Sequence, residues 1–404
     1  MQQKQSLWVA FCALLVDVIG LGIIIPILPK LIESFSESTV FAAEFYGFLT
    51  AVYALMQFLF APVIGALSDR FGRRPVLILS LLGLGADYFI MAFAPSLGWF
   101  VVARILSGML GASYSAAMSY IADISTPENR TKNFGLIGVA FGLGFIAGPL
   151  IGGVLGHHVS LRAPFLLAGT LAIVNALAMF FWLKESLPEE KRRKVVFSQL
   201  NPIGVLIKIR DFGGVNTLLT GYWFASLAHR MLEIFWVVYM GYRFQWDTLS
   251  LALSLTAFGV ATAVVQGGLL RFLSKHFGDR RLIYWGLSLE VLSFILFGIA
   301  PQGWMIFLII PLAALGGVAE PAIQSTLSGK VGERYQGALQ GVMASLTSVS
   351  GVLAPIIAMS LFIHFSDNQK SWFFPGAPFV LGAFFYLLCL LLVVVYEKSR
   401  YNPN

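Results

Sequence analysis

Twelve apolar runs, each about twenty residues long, constrain this 404-residue chain more than any other feature. They cover 7–29, 43–66, 76–94, 98–122, 134–156 and 163–183, and then 214–240, 248–272, 282–300, 303–327, 337–363 and 374–396. A helix of roughly twenty apolar residues crosses the ~30 Å hydrocarbon core of a bilayer, and it satisfies its own backbone polar groups while doing so. The pattern therefore predicts an all-α membrane protein with twelve transmembrane helices. Composition agrees, since 58% of positions are hydrophobic and only 12% charged, about half the charged share of ordinary soluble domains. Ala94-Pro95-Ser96 and Ala300-Pro301-Gln302 mark two tight joints, because proline ends a helix. The run at 7–29 contains Asp17 and no small-residue cleavage site, so it is expected to stay as a helix. Cys12 and Cys389 lie in apolar runs near opposite ends of the sequence, where neither a disulfide nor a metal site is expected.

The polar stretch 184–213 separates the runs into two sets of six. It predicts an N-terminal bundle over 1–183, a linker over 184–213 and a C-terminal bundle over 214–404. The linker carries Glu189-Glu190-Lys191-Arg192-Arg193-Lys194, read as a solvated face, and an amphipathic piece from Pro202 to Arg210. The two sets repeat one another. Leu67-Ser68-Asp69-Arg70-Phe71-Gly72 after the second run is echoed by Leu273-Ser274-Lys275-His276-Phe277-Gly278 after the eighth. Arg130 is echoed by Arg334, Gly148-Pro149 by Ala354-Pro355, and Asp87 by Glu290. All these pairs are separated by about half the chain, which predicts two parallel six-helix halves related by an axis along the membrane normal.

Lysine and arginine set the orientation. All of them fall on one side except Lys30, Arg162, Arg243 and Lys370 on the other, and Arg104 and Arg230 within spans. Both ends of the chain and the linker are therefore expected in the cytoplasm. The net charge of +7 reflects this orientation and calls for no nucleic-acid partner.

Two stretches resemble a known family. Gly65-Ala66-Leu67-Ser68-Asp69-Arg70-Phe71-Gly72-Arg73-Arg74-Pro75-Val76 resembles the signature loop of the major facilitator superfamily. Gly144-Phe145-Ile146-Ala147-Gly148-Pro149-Leu150-Ile151-Gly152-Gly153 resembles the antiporter motif of its drug-efflux members. Similarity to the tetracycline/H⁺ antiporters extends over nearly the whole chain. It includes Asp17, Tyr53-Ala54-Leu55-Met56-Gln57, Asp87-Tyr88, Arg104-Ile105-Leu106-Ser107-Gly108 and Gln336-Gly337-Ala338-Leu339-Gln340-Gly341. The resemblance implies a major facilitator fold in a bacterial inner membrane. It also implies that Asp17, Asp87, Arg104 and Gln57 line or support a central cavity, with Glu290 replacing an aspartate.

Ionisable groups inside spans are costly in hydrocarbon and mark pathways or proton sites. A carboxylate in a partly dehydrated cavity can take and release a proton near neutral pH, so Asp17, Asp87 and Glu290 are the proton-coupling candidates. Arg104 is expected as neighbour or counter-charge of Asp17, with a buried structural ion pair as the plainer reading. Asp69 is expected to accept from a helix N-terminus or to pair with an arginine across the cytoplasmic seam. The gating group is accordingly Gly65, Asp69, Arg70, Gly72, Arg73, Arg74 and Arg130. Gly144, Gly148, Pro149, Gly152 and Gly153 are expected to allow close packing and bending where the halves meet.

The sequence departs from the tetracycline pattern on its C-terminal side. Thr262 stands in place of a histidine, His229, Arg230 and Glu233 bring charge into the seventh span, and Glu320 precedes Pro321. Together with Gln266 they are the expected cavity residues of that half. Spacing of three to four residues also lets His229 or Arg230 satisfy Glu233 on one helix face.

The reading is a proton-coupled antiporter that exports a small amphipathic molecule by alternating access. Its partners are substrate, protons and lipid, it needs no cofactor or metal because it uses the proton gradient, and it acts as a monomer. The alternative is a proton-coupled exporter or symporter of a polar anionic metabolite such as a carboxylate siderophore. An intramembrane enzyme is not expected, since no catalytic elbow, nucleotide loop or paired-histidine metal motif occurs.

Overall fold

The computed structural model describes residues 2–36, 38–111, 113–125, 130–192, 215–330, 336–366 and 372–401. Every long element among them is a helix. The first half runs α1 (Gln2–Ile24), α2 (Leu28–Glu33), α3 (Thr39–Phe71), α4 (Arg73–Phe93), α5 (Leu97–Leu110), α6 (Ser113–Asp123), α7 (Arg130–His158) and α8 (Ala163–Trp182). The second runs α9 (Asn216–Phe244), α10 (Thr248–Val264), α11 (Leu270–Ile299), α12 (Gly303–Gly316), α13 (Ala319–Lys330), α14 (Gln336–Phe365) and α15 (Ala377–Tyr401).

Ten helical stretches among the described residues are long and apolar enough to cross a membrane. The remaining two spans of the twelve-span fold are the fourth, α5 with α6, which includes residue 112 outside the described residues, and the seventh, α9, which carries His229, Arg230 and Glu233. The first span stops earlier than its apolar run suggests. Proline cannot donate to the helix ladder and clashes with the turn before it, so Pro26 ends α1 at Ile24 and Pro29 opens the short α2. The twelfth-span pattern continues further, to Tyr401. Large apolar side chains such as Phe181, Trp182, Trp285 and Leu308 stand on the outside, as lipid contact requires.

The chain divides into two compact units, Met1–Asn201 with Trp246–Thr256, and Pro202–Gln245 with Ala257–Asn404. The amphipathic piece expected from Pro202 to Arg210 lies outside the described residues. In the first unit Ala10, Ala13, Leu77, Leu81, Tyr120, Met179 and Leu183 form a buried cluster. The second unit is held by aromatic rings around Phe379, which lies 5.2 Å from Phe235 and 4.9 Å from Tyr239. The internal repeat has a backbone counterpart. Gly72 and Gly278, which close the two related loop sequences, both have positive φ, 102° and 70°, a conformation open to glycine at little cost.

Candidate functional site

The first unit gathers its ionisable groups where α1, α3, α4 and α5 come together. Asp87 on α4 is fully buried. Its Oδ2 accepts from Arg104 Nη2 at 2.8 Å, and the same guanidinium lies over the Tyr53 ring, 5.4 Å from its centroid. Gln57, one turn after Tyr53 on α3, donates to the Tyr53 hydroxyl at 3.3 Å and to the Gly111 carbonyl at 3.4 Å. Asp17 on α1 stands apart, because its buried Oδ1 has no hydrogen-bond partner. Sequence reasoning gave Arg104 to Asp17 as counter-charge; the structure gives it to Asp87. The reason is register. Asp87 and Arg104 lie on helices joined by the tight turn at Ala94-Pro95-Ser96 and face one another, whereas Asp17 belongs to α1.

A second cluster surrounds the loop between α3 and α4. Arg73 Nη1 pairs with Asp69 Oδ1 at 2.6 Å and donates to the Ser68 hydroxyl at 2.9 Å, while its Nε lies 3.2 Å from Asp123 Oδ2 on α6. Of the two roles expected for Asp69, the structure shows pairing with an arginine, here Arg73 of the same loop, and gives the N-terminus of α4 to Glu185. That carboxylate accepts from the Arg73 and Arg74 backbone N–H groups at 2.9 and 3.2 Å, and from those of Ser186 and Leu187 at 2.9 and 3.0 Å. A negative charge at a helix N-terminus is favourable because the unpaired N–H groups and the helix dipole point at it. Asp69 is committed to Arg73, four residues on, which leaves the N-terminus to Glu185. Arg74 donates to the Phe180 carbonyl and lies over the Phe180 ring, and the exposed Arg70 lies over Phe71. A Cβ at Gly65 would meet nothing within 4 Å. Arg130 begins α7, and its side chain lies outside the described residues, as does its counterpart Arg334.

The glycines of α7 serve mainly their own half. A Cβ at Gly148 would come 2.7 Å from Gly22 Cα on α1, and one at Gly152 would come 2.0 Å from the Ile23 carbonyl oxygen. Gly144 likewise backs onto Val18, so α1 and α7 meet backbone to backbone along this face. Gly153 turns instead to Ala252 and the Thr248 carbonyl, in the stretch Trp246–Thr256 that groups with the first unit. Pro149 lies inside α7.

In the second unit Arg230 Nη1 lies 2.6 Å from Glu233 Oε2, and His229 Nε2 lies 3.4 Å from Glu233 Oε1. Glu233 thus engages two neighbours on its own helix. Glu290 on α11 is 6% exposed and packs against Gly316 on α12. Glu320 accepts from Gln324 at 3.3 Å and sits in the first turn of α13, after the chain breaks at Gly317. Glu290, Glu320 and His229 interact electrostatically. Thr262 is part-exposed on α10, and Gln266 is exposed in the π-helical turn Val265–Leu269 that follows it.

Sequence reasoning missed four contributors. Tyr53 had a signal, its spacing one turn before Gln57. Asp123 and Glu185 lie 50 and more than 100 residues from the arginines they hold, with no local pattern to join them. Tyr88 stood beside Asp87 in the family resemblance, with no role of its own. Among the described residues no group of three or more His, Cys, Asp or Glu could hold a metal ion.

Comparison with known proteins adds independent findings. Residues 10–217 and 218–404 each match the Major Facilitator Superfamily. The tetracycline resistance protein of class C from Escherichia coli is 39% identical, over 96% of this chain and 96% of that protein. The class B protein from Escherichia coli is 35% identical, over 97% and 96%. Among solved structures, the human organic anion transporter MFSD10 (TETRAN) is 25% identical with a TM-score of 0.72, covering 97% of this chain and 99% of that one. A peptide transporter, POT, is similar in fold alone, at 13% identity and a TM-score of 0.79.

Proposed function

The chain belongs to the Major Facilitator Superfamily and is a membrane transporter, and on that premise we propose that it exports tetracycline-type molecules in exchange for protons. Likeness to several classes of tetracycline resistance protein along nearly their full length supports the substrate class. The observation that carries the coupling is the difference between two carboxylates of the first unit. Asp87 is tied to Arg104, whereas Asp17 takes part in no ion pair among the described residues. A carboxylate free of a permanent counter-charge, inside a membrane span, can exchange a proton as the conformation changes. Asp17 is therefore the proton carrier, and Asp87–Arg104 frames the site beside it. Alternating access exposes this site to each face in turn. The charge pattern supports an inner-membrane protein with the linker in the cytoplasm.

The anionic-metabolite reading fares worse. Glu233 engages His229 and Arg230, so these side chains are already partnered, and the relatives matched along nearly their full length are tetracycline resistance proteins. The test is uptake into proteoliposomes under an imposed pH gradient, with a panel of tetracyclines and anionic metabolites. Gradient-dependent movement of tetracyclines alone is the expected result. Movement of neither class, or movement indifferent to the gradient, would overturn the proposal.

A further inference from the structure

Four polar atoms are buried without a hydrogen-bond partner in the same part of the first unit. They are Asp17 Oδ1 on α1, Asp87 Oδ1 and the Tyr88 hydroxyl on α4, and Arg104 Nε on α5. Tyr88 is 2% exposed. Its hydroxyl lies against α1 at Gly20, where a Cβ would sit 3.7 Å from the phenol oxygen. Gly20 follows Asp17 by three residues, so both occupy one face of α1. The charged and titratable groups in electrostatic reach of Tyr88 are Asp17, Asp87, Arg104 and Tyr53. From α8 the polar side chain reaching α1 is Asn175, whose amide donates to the Ala13 carbonyl and does not titrate.

A buried hydroxyl with nothing to bind is destabilising, and buried polar atoms in native proteins reach one another through internal water. Asp87 already has Arg104. Asp17 is the acceptor whose need changes with its proton, because the ionised carboxylate accepts strongly and the protonated acid does not. We propose that Tyr88 is a positioning residue for the exchangeable proton: its hydroxyl donates, through one water beside Gly20, to Asp17 whenever that carboxylate is ionised. The bond forms as the proton leaves and lapses as it returns, so Tyr88 sets the pH at which Asp17 exchanges. This rests on the reading of Asp17 as carrier.

The test uses the purified full chain in proteoliposomes and compares the parent with Tyr88→Phe, which removes only the oxygen. Gradient-driven tetracycline transport is followed against pH, beside gradient-free exchange. The expected result is a pH midpoint raised by about one unit, with the KM of exchange changed by less than about twofold. Gly20→Ala places a methyl at ordinary contact distance from the Tyr88 ring and hydroxyl, where the proposed water would bridge, and it should raise the midpoint in the same direction. Superimposable profiles for Tyr88→Phe and the parent, with Asp17→Asn uncoupled, overturn the role of Tyr88 and leave the transport reading standing. So does a parallel fall of driven transport and exchange. Intact coupling in Asp17→Asn overturns both.

Discussion

Arg104 donates to Asp87 across 2.8 Å and so ties α5 to α4 through a carboxylate that solvent does not reach. Removing one partner of a buried pair strands the other charge at a cost of about 3–5 kcal/mol. Asp87→Asn should therefore lower the melting temperature in detergent more than the double change Asp87→Asn with Arg104→Gln. A double variant less stable than the single one by the full additive amount would show that the two do not act as a pair.

Gly72 is constrained twice, by its φ of 102° and by Glu185, whose Oε2 would lie 2.3 Å from a Cβ. Gly278 has φ 70° but nothing within 4 Å of the same position. Gly278→Ala should cost only backbone strain, about 1–2 kcal/mol, while Gly72→Ala should also displace Glu185 from the start of α4 and impair both stability and transport. Equal losses in thermal melts of the two variants would contradict this account of the loop.

The α7 glycines divide in the same manner. Gly152→Ala drives a methyl into the Ile23 carbonyl, whereas Gly142 has no neighbour within 4 Å of a Cβ. Gly142→Ala should be neutral or slightly stabilising, by up to about 1 kcal/mol, and Gly152→Ala should reduce folded protein and activity. The check is the yield of monodisperse protein with its transport rate.

Asp247 offers a pH signature away from the spans. The Ser250 hydroxyl and backbone N–H, and then His157, hold its carboxyl below the usual range; the N–H donates at 2.8 Å and His157 Nδ1 lies at 3.2 Å. A lowered native value means that the stabilisation is complete above about pH 4 and lost as pH falls through that native value. Asp247→Asn should therefore lower the melting temperature modestly at pH 7, by a difference that shrinks as the pH falls below about 4. An equal difference above and below that pH would rule the carboxylate out.

Much of this architecture is written in local patterns. Apolar run length placed the spans, and the echo of Gly72 by Gly278 carried through to matching backbone conformations. Pairs on one helix, such as Arg230 with Glu233, follow from spacing alone. What the sequence withheld is which helix faces a charge. Arg104 could meet Asp17 or Asp87, and only the packing of α4 on α5 decides for Asp87. Glu185 reaches Arg73 from 112 residues away, a contact that no periodicity encodes. The proline at position 26 was visible, but its consequence, an early end to α1, was masked by the apolar residues that continue past it.

In the proposed mechanism Asp17 carries the proton exchanged for substrate. Proton movement accompanying tetracycline flux in proteoliposomes, recorded with a trapped pH dye, tests it most directly. Asp17→Asn should still exchange tetracycline across the membrane without a gradient, yet move no protons with it and ignore an imposed pH difference. Proton flux coupled to tetracycline in Asp17→Asn at the parent's ratio would contradict it.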